Sequence, residues 1–398
     1  MSRFRMCPTP AQHAALLEQC RQARIVWNLA LEQWSMWTPD KGPTPGYAEQ
    51  ARQLTEARRE FGWLRAGSQT VQQQALRDFA QAVKYFFAGT HRRPTWRKAG
   101  KHEGFRIVGP QASRVIKLNR KWAEVLVPKV GWVRFRLSRR IPDAKSYRIT
   151  CDRAGRWHLA FAAIPPPIPA PGSGEVVGVD RGVSVSAALS TGELLICPGL
   201  ADREQKRLKH LQRRLARCDR NSNRRRRVKA AIAKLHARAV DRRTDWVEKV
   251  STHLARRFDL IRVEGLRVAQ LTRRPKPKPD ADRPGAYLPN GRRAKSGLNR
   301  GILANGWGLL VQRLRQKAPG RVEGVDPAYT SQTCSVCGHR AAENRESQAV
   351  FRCAACGHRG NADVNAAVNI AAGRAVSARR ETPVRVSLKR EPQHATSA

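Results

Sequence analysis

The chain has 398 residues, enough for two or three domains with real cores, and sets 76 Lys plus Arg against 31 Asp plus Glu, a formal charge of +45. Such an excess repels itself in compact form unless a polyanion is the working partner, so nucleic acid is the expected ligand. No apolar run reaches transmembrane length and no signal peptide opens the chain, which argues against membrane or secreted classes and for a cytoplasmic, nucleoid-associated prokaryotic protein.

Thr9-Pro10-Ala11-Gln12 reads as a helix start, with a capping threonine, proline at the first helical position and glutamine at the third. Leu16, Leu17, Cys20, Ala23, Trp27 and Leu31 form the apolar stripe of the helix that follows. A second helix is expected over Gly46 to Phe61. A third starts near Ser68 and runs to Phe87, with Val71, Ala75, Phe79, Val83 and Phe86 inward. Arginine is interleaved with tryptophan, as in Pro94-Thr-Trp-Arg-Lys98, which suits phosphate contact combined with base stacking.

From Phe105 to Ala163 the period changes to two. The runs Val115–Leu118, Glu124–Val127, Trp132–Arg136, Tyr147–Cys151 and Trp157–Ala163 suggest a small antiparallel barrel. The proline-rich stretch from Ile164 to Pro171 is a stiff linker and a domain boundary.

Beyond it, Glu175 to Asp180 is an apolar strand ending in a carboxylate. Arg181-Gly182 turns the chain into a second strand, Val183 to Leu189, and Thr191-Gly192 turns it into a third, Glu193 to Ile196. A three-strand meander with an aspartate at the end of its first strand is how ribonuclease-H-like folds begin. Ala201 to Phe258 reads as a very basic helical pair turning at Asn221-Ser-Asn223, with Arg224 to Arg227 just beyond. Leu208, Leu211, Leu215, Val228, Ile232, Leu235 and Ala239 are its apolar stripes. Leu260 to Glu264 is another apolar strand ending in an acid. The Pro-, Arg- and Lys-rich segment from Leu271 to Asn299 reads as a mobile loop that orders on nucleic acid.

Four of the nine cysteines follow. Cys334 and Cys337, then Cys353 and Cys356, form two CxxC pairs with fifteen residues between them, each pair followed by Gly-His. That spacing predicts a treble of short strands closing on one tetrahedral zinc ion. The remaining five, Cys7, Cys20, Cys151, Cys197 and Cys218, are scattered, as buried thiols in a reducing compartment would be. Asn361 is placed to cap a helix with Val364, Ala367, Val368 and Ala371 on its apolar side, and Asp363 falls in its first turn. Taken alone, Asp363 could serve only the helix dipole.

Asp180, Glu264 and Asp363 share a placement: each lies at a strand end or a helix start. Cleavage of a phosphodiester needs an activated water and a stabilised leaving oxygen, and two Mg²⁺ ions roughly 3.5–4 Å apart supply both. A few carboxylates suffice for such ions, which otherwise keep phosphate oxygens and waters. The trio is therefore the candidate catalytic and magnesium-binding set.

Gly178-Val-Asp-Arg-Gly182, Val263-Glu-Gly-Leu266, Tyr329 to Gly338 and Asp363 to Ile370, in this order along nearly the whole chain, resemble the TnpB family. These are transposon-encoded RNA-guided nucleases of OrfB type, related to the compact type V CRISPR effectors. The resemblance implies an α+β multidomain fold: an N-terminal β-barrel with a helical insertion, then a ribonuclease-H-like (RuvC) nuclease domain with an inserted four-cysteine zinc ribbon. It places the barrel over residues 1–164, with the helical insertion at about 10–90, and the linker over 165–172. The first part of the nuclease covers 173–325, including the helical pair 201–258. The ribbon takes 326–360, the last nuclease helix 361–373, and a disordered basic tail 374–398. The implied partners are a guide RNA and a double-stranded DNA target read next to a short flanking motif, one protein per RNA, with both strands cut at a single site. The family's commonest form has an Asp-Arg pair before the last acid; this chain has Asn361-Ala362.

Two other classes stay open: a compact CRISPR effector, and a guided DNA-binding repressor that does not cut. A tyrosine-type transposase would want two histidines separated by one residue, and none of the ten histidines has that spacing.

Overall fold

The computed structural model describes residues 2–37, 44–101, 103–163, 165–283 and 285–373. The chain divides into two compact units, Met1–Pro166 with Leu200–Val240, and Pro167–Gly199 with Asp241–Ala398. The basic tail beyond residue 373 and Ile164 of the linker lie outside the described residues.

The first unit opens with β1 (Ser2–Arg5) and α1 (Pro10–Ser35). The expected start is there: Thr9 accepts from the Gln12 backbone N–H, and the Gln12 side chain accepts from the Thr9 N–H, a reciprocal capping box. Leu16, Cys20, Ala23, Trp27 and Leu31 are buried as expected, but Leu17 points outward at 37 % exposure. The helix expected over Gly46–Phe61 is α2 (Tyr47–Glu60), followed by a short α3 (Gly62–Ala66). Ser68 caps α4 (Gln69–Phe87), which buries Val71, Ala75 and Phe79 and half-buries Val83 and Phe86.

The strands of this unit are β2 (Glu103–Val108), β3 (Val115–Lys117), β4 (Trp122–Val127), β5 (Gly131–Arg136), β6 (Ser146–Cys151) and β7 (Trp157–Phe161). They form two antiparallel sheets, β1-β7-β6-β2 and β3-β4-β5, with one bridge between Met6 and Phe135. Alternation aims Val125, Val127, Val133, Phe135 and Ile149 into a core shared with α1 and α4. The edge strand β1, pairing Phe4 with Leu159, was not anticipated from sequence: four residues are too few to display a period. The Trp-Arg interleaving is also partly internal. Arg97 lies 3.7 Å over the Trp27 ring and its backbone is held by Asn28, so burial pulls its pKa down to about 10, while Trp96 remains exposed.

The basic pair is α5 (Asp202–Ala216) and α6 (Asn223–Arg257), joined through Asn221 at φ 60°. Leu211, Cys218, Val228 and Leu235 form a small core between them, with Leu208, Leu215 and Ile232 packed against it. One arginine of the run is structural: Arg225 donates to the Leu215 and Cys218 carbonyls and closes the α5 C-terminus.

The second unit is built on a five-stranded sheet, and β8 (Val176–Asp180), β9 (Ala187–Leu189) and β10 (Leu194–Leu195) form its antiparallel meander. The second strand is shorter than expected, because Val183 to Ser186 are drawn off as a loop. Next come β11 (Leu260–Glu264), α7 (Val268–Leu271), the small pair β12 (Lys278–Pro279) and β13 (Tyr287–Leu288), α8 (Arg292–Ala304), α9 (Trp307–Lys317) and β14 (Val322–Val325). The segment expected to be a mobile loop therefore holds a β-pair and the start of α8. The sheet order is β10-β9-β8-β11-β14, with β11 parallel to both neighbours. Val177, Val179, Ile261 and Val263 pack with Val247, Leu254, Leu310 and Leu314 beneath it.

The chain then forms β15 (Val350–Arg352), β16 (Arg359–Asn361) and α10 (Ala362–Ala371). The expected treble of strands is a two-stranded ladder plus a single bridge, Thr333 to Arg340.

Candidate active site

Asp180 ends β8, Glu264 ends β11 and Asp363 sits in the first turn of α10. The three acids, drawn from distant parts of the chain, line one cavity of about 320 Å³. Asn361 caps α10 by accepting from the Asp363 and Val364 N–H groups, so the first turn that carries Asp363 is fixed by its own sequence.

All three carboxyls are half-buried. Burial first, then the charge of Asp363, pushes Asp180 up to about 6. Burial first, then the charge of Asp180, pushes Glu264 up to about 8, and the two side chains share a hydrogen bond in which Glu264 donates. Asp363 is raised by burial, and Arg345 opposes that rise. Among the described residues, three or more ligand atoms come within 4.8 Å of one another at the cysteines, and the acids are more widely spread.

The loop between β8 and β9 is clamped from several sides. Trp307 Nε1 donates to Gly182 O, Asn305 Nδ2 to Val183 O, and Ser186 Oγ to Asn305 Oδ1. Arg181 is buried and donates to the Glu264 carbonyl. At Gly178 the strand and α10 touch backbone to backbone: an added Cβ would overlap Ala367 O and Ala371 N. Arg262 of β11 donates to Ala371 O at the far end of α10, so that helix is held along its length.

The cysteine ribbon precedes α10. Its four Sγ atoms lie within 4.8 Å of one another, with Cys334 to Cys356 at 3.7 Å and Cys337 to Cys353 at 3.6 Å. Disulfide bonds at about 2.05 Å are excluded by that spacing, which instead suits a metal held between the sulfurs. Each pair is a knuckle: Gly338 and Gly357, both at positive φ, donate back to Cys334 and Cys353. Backbone N–H groups of Cys356 and Ala355 pull the Cys353 thiol down to about 6, toward the thiolate a metal needs. Asn344, fully buried, donates to the Gln332 and His339 carbonyls and accepts from Ala354 N–H, tying the two knuckles together. Of the other five cysteines, Cys20 and Cys218 are buried as expected, whereas Cys151 and Cys197 are half-buried and Cys7 is exposed.

Two sets of residues in this site were not singled out from the sequence. The buried face of α10 is rotated from the expected one, so Asn365 and Asn369 are buried while Val364 and Val368 are half-exposed. Asn365 accepts from Ser335 N–H and donates to Thr333 O; Asn369 donates to Thr330 O and Thr333 O. Two asparagines four residues apart in a helix otherwise apolar beyond Asp363 were the available signal. The other is Arg345, whose guanidinium faces Asp363, while Gln348 of the same loop reaches Ser184 at 3.3 Å. Arg345 supplies a cation beside the last acid, in a chain that has Asn361-Ala362 before it.

Residues 2–38 match a family profile described as a helix-turn-helix domain, 137–274 one described as "Probable transposase", and 307–370 one described as "Cas12f1-like, TNB domain". The first of these covers β1 and the single helix α1 here. An Escherichia coli (strain K12) protein named "Putative RNA-guided DNA endonuclease InsQ" is 34 % identical over 385 residues, 94 % of this chain and 92 % of that one. A "Putative RNA-guided DNA endonuclease" of Streptomyces pristinaespiralis is 30 % identical over 414 residues, 99 % of this chain and 96 % of that one. The fold is similar to that in a cryo-EM structure of a Cas12f1–sgRNA–target DNA complex, at a TM-score of 0.56 and 13 % identity, covering 89 % of this chain and 81 % of that one. On identity over nearly its full length, the chain belongs to the TnpB (OrfB-type) family that its motifs resemble.

Proposed function

We propose that this protein is an RNA-guided DNA endonuclease, with Asp180, Glu264 and Asp363 as its catalytic acids. The observation that carries the reading is the gathering of those acids, from strand ends and a helix start far apart in sequence, into one cavity. The meander β10-β9-β8 continued by parallel β11 and β14 supports a ribonuclease-H-like nuclease domain, and the two sheets of the first unit support a barrel with a helical insertion.

The acid set fits divalent magnesium. The cavity is lined by carboxylates with no histidine or cysteine among them, and hard oxygen donors suit a hard cation. Asp180 and Glu264 share a proton because two adjacent half-buried carboxylates resist being ionised together, and a cation would take that proton's place. When bound, magnesium supplies water activation and leaving-oxygen stabilisation. Asp180, Glu264 and Asp363 would hold it, Arg345 stands beside Asp363, and Trp307 with Asn305 keeps the Asp180 loop in place. The cysteines fit zinc: tetrahedral ligands at about 2.3 Å from one ion lie about 3.8 Å from each other, close to the 3.6 and 3.7 Å separations found.

A guide RNA and a double-stranded DNA target are the partners. The net charge of +45 and the exposed arginines of α5 and α6 support backbone contacts with both. Among the described residues no helix is long and apolar enough to cross a membrane, and we place the protein in the cytoplasm.

The test uses the full chain purified with its co-expressed RNA. Asp180→Ala should abolish cleavage of a matching duplex in Mg²⁺ while RNA-dependent DNA binding persists. Undiminished cleavage would remove the metal-site assignment, and wild-type binding without cleavage would make the protein a guided repressor.

A further inference from the structure

A second cavity, of about 560 Å³, opens beside the acids at the carboxyl ends of β8, β11 and β14. Open α/β sheets bind ligands at this end of their strands. Helix α9 presents Gly308, Val311, Gln312, Arg315 and Gln316 to it, at the three- and four-residue spacing of one helix face. Arg181 and Glu264 line both cavities.

Arg181 is 5 % exposed, and its guanidinium donates to the Glu264 carbonyl. Its Nε has no hydrogen-bond partner among the described residues. A buried guanidinium donor left open calls for a group that arrives later. Arg315 is exposed, forms no ion pair among the described residues and faces the same cavity. Glu264 is the one carboxylate lining this cavity, against two arginines. Two guanidiniums lining one polar cavity, one of them with an open buried donor, are matched by one anion.

We propose that this cavity is an anion subsite holding a backbone phosphate of the nucleic-acid strand whose neighbouring phosphodiester lies at the acids. Arg315 is the phosphate contact, and Arg181 is the positioning residue between the two cavities. The inference rests on the function proposed above for those acids. It adds a phosphate grip next to the cut, which fixes the strand's register without reading its bases.

The test keeps strands intact by using the RNA-loaded full chain with Asp180→Ala, alone or with Arg315→Ala or Arg315→Lys. The probe is a duplex matching the co-purified RNA, with single phosphates replaced in turn by neutral methylphosphonates. With Arg315 present, one position should lose about tenfold in affinity, and Arg315→Ala should abolish the sensitivity at that position alone. The salt dependence of log K should flatten by about one in Arg315→Ala and recover in Arg315→Lys. Identical methylphosphonate profiles and salt slopes with and without Arg315 would overturn the subsite. Protection of Arg315 from phenylglyoxal by inorganic phosphate, with no sensitive strand position, would also overturn it by assigning the cavity to free phosphate. Should the wild type bind in this pattern yet never cut, the subsite stands and the catalytic reading of the acids falls.

Discussion

The Arg345 guanidinium stands 3.7 Å from Asp363 Oδ1, although one residue belongs to the ribbon and the other to the helix after it. The same guanidinium also opposes the rise of the Asp180 pKa that burial and Asp363 cause, so a single ribbon side chain pulls two of the three acids toward their charged forms.

Removing it should therefore move the pH profile and not merely scale it. In Arg345→Ala, Asp180 and Asp363 hold their protons to higher pH, and the acid limb of the cleavage profile should shift upward. Arg345→Lys, a weaker and less directional cation, should shift it less. A profile of unchanged shape at reduced height would mean that Arg345 acts by shape and not by charge.

The half-buried carboxyl pair makes metal-free stability depend on pH with a definite sign. Glu264 holds its proton to about 8 in the folded chain against an ordinary 4.5, and Asp180 to about 6 against 3.8. Between those values the unfolded chain has released protons that the folded chain keeps, so stability falls as pH rises from about 5 to 8. Melting with a chelator present should show that decline. Glu264→Gln should flatten it, as should added Mg²⁺, with Tm responding by about 2–4 °C per kcal/mol. A Tm that climbs over this range would contradict the pairing.

Gly178→Ala should be far more harmful than its single methyl suggests. The new Cβ meets backbone atoms of Ala367 and Ala371, which cannot rotate away as a side chain would. A loss of about 1–3 kcal/mol is expected from overpacking alone. Since α10 carries Asp363, cleavage should drop more than stability. Differential scanning calorimetry beside a cleavage assay separates the two effects.

Asn369→Ala strips the donor from the Thr330 and Thr333 carbonyls and should cost about 1–3 kcal/mol. Zinc content should be retained, because the cysteine knuckles do not use this side chain. Cys353→Ser, by contrast, should lose the metal. If Asn369→Ala released zinc as readily, the docking of the ribbon and its metal binding would be one event.

The basic pair α5–α6 should split into two kinds of arginine. Arg225→Ala should lower stability, since its donors close the α5 carbonyls. Arg224→Ala and Arg227→Ala, both exposed, should leave Tm unchanged while weakening nucleic-acid binding and reducing its salt dependence. Filter binding across a salt series, read beside melting curves, distinguishes the groups.

What the sequence disclosed was whatever local chemistry writes in one dimension. CxxC spacing, the Thr9 capping box and the apolar strands ending in Asp180 and Glu264 are of that kind. Arg345 and Gly178 are not: their roles depend on which elements pack together, and neither spacing nor periodicity carries that. Asn365 and Asn369 were readable in principle. An apolar-face count turned α10 the wrong way because it scored valines inward and asparagines outward, whereas the buried carbonyls of Thr330 and Thr333 needed donors. Helix α8 was hidden by the Pro- and Arg-rich composition before it. Gly291 and Gly306, both at positive φ, start α8 and α9 without the side-chain caps by which helix starts are usually found.

The contact of Gly178 with α10 has a temporal meaning for a growing polypeptide. The strand that carries Asp180 leaves the ribosome long before residue 363 is translated, so the acid set proposed above stays incomplete until α10 docks on its glycine. A chain halted ahead of that helix would keep the strands of its amino-terminal half while lacking the last acid. Under the function proposed above, capacity to cut is thereby withheld until α10 has been made.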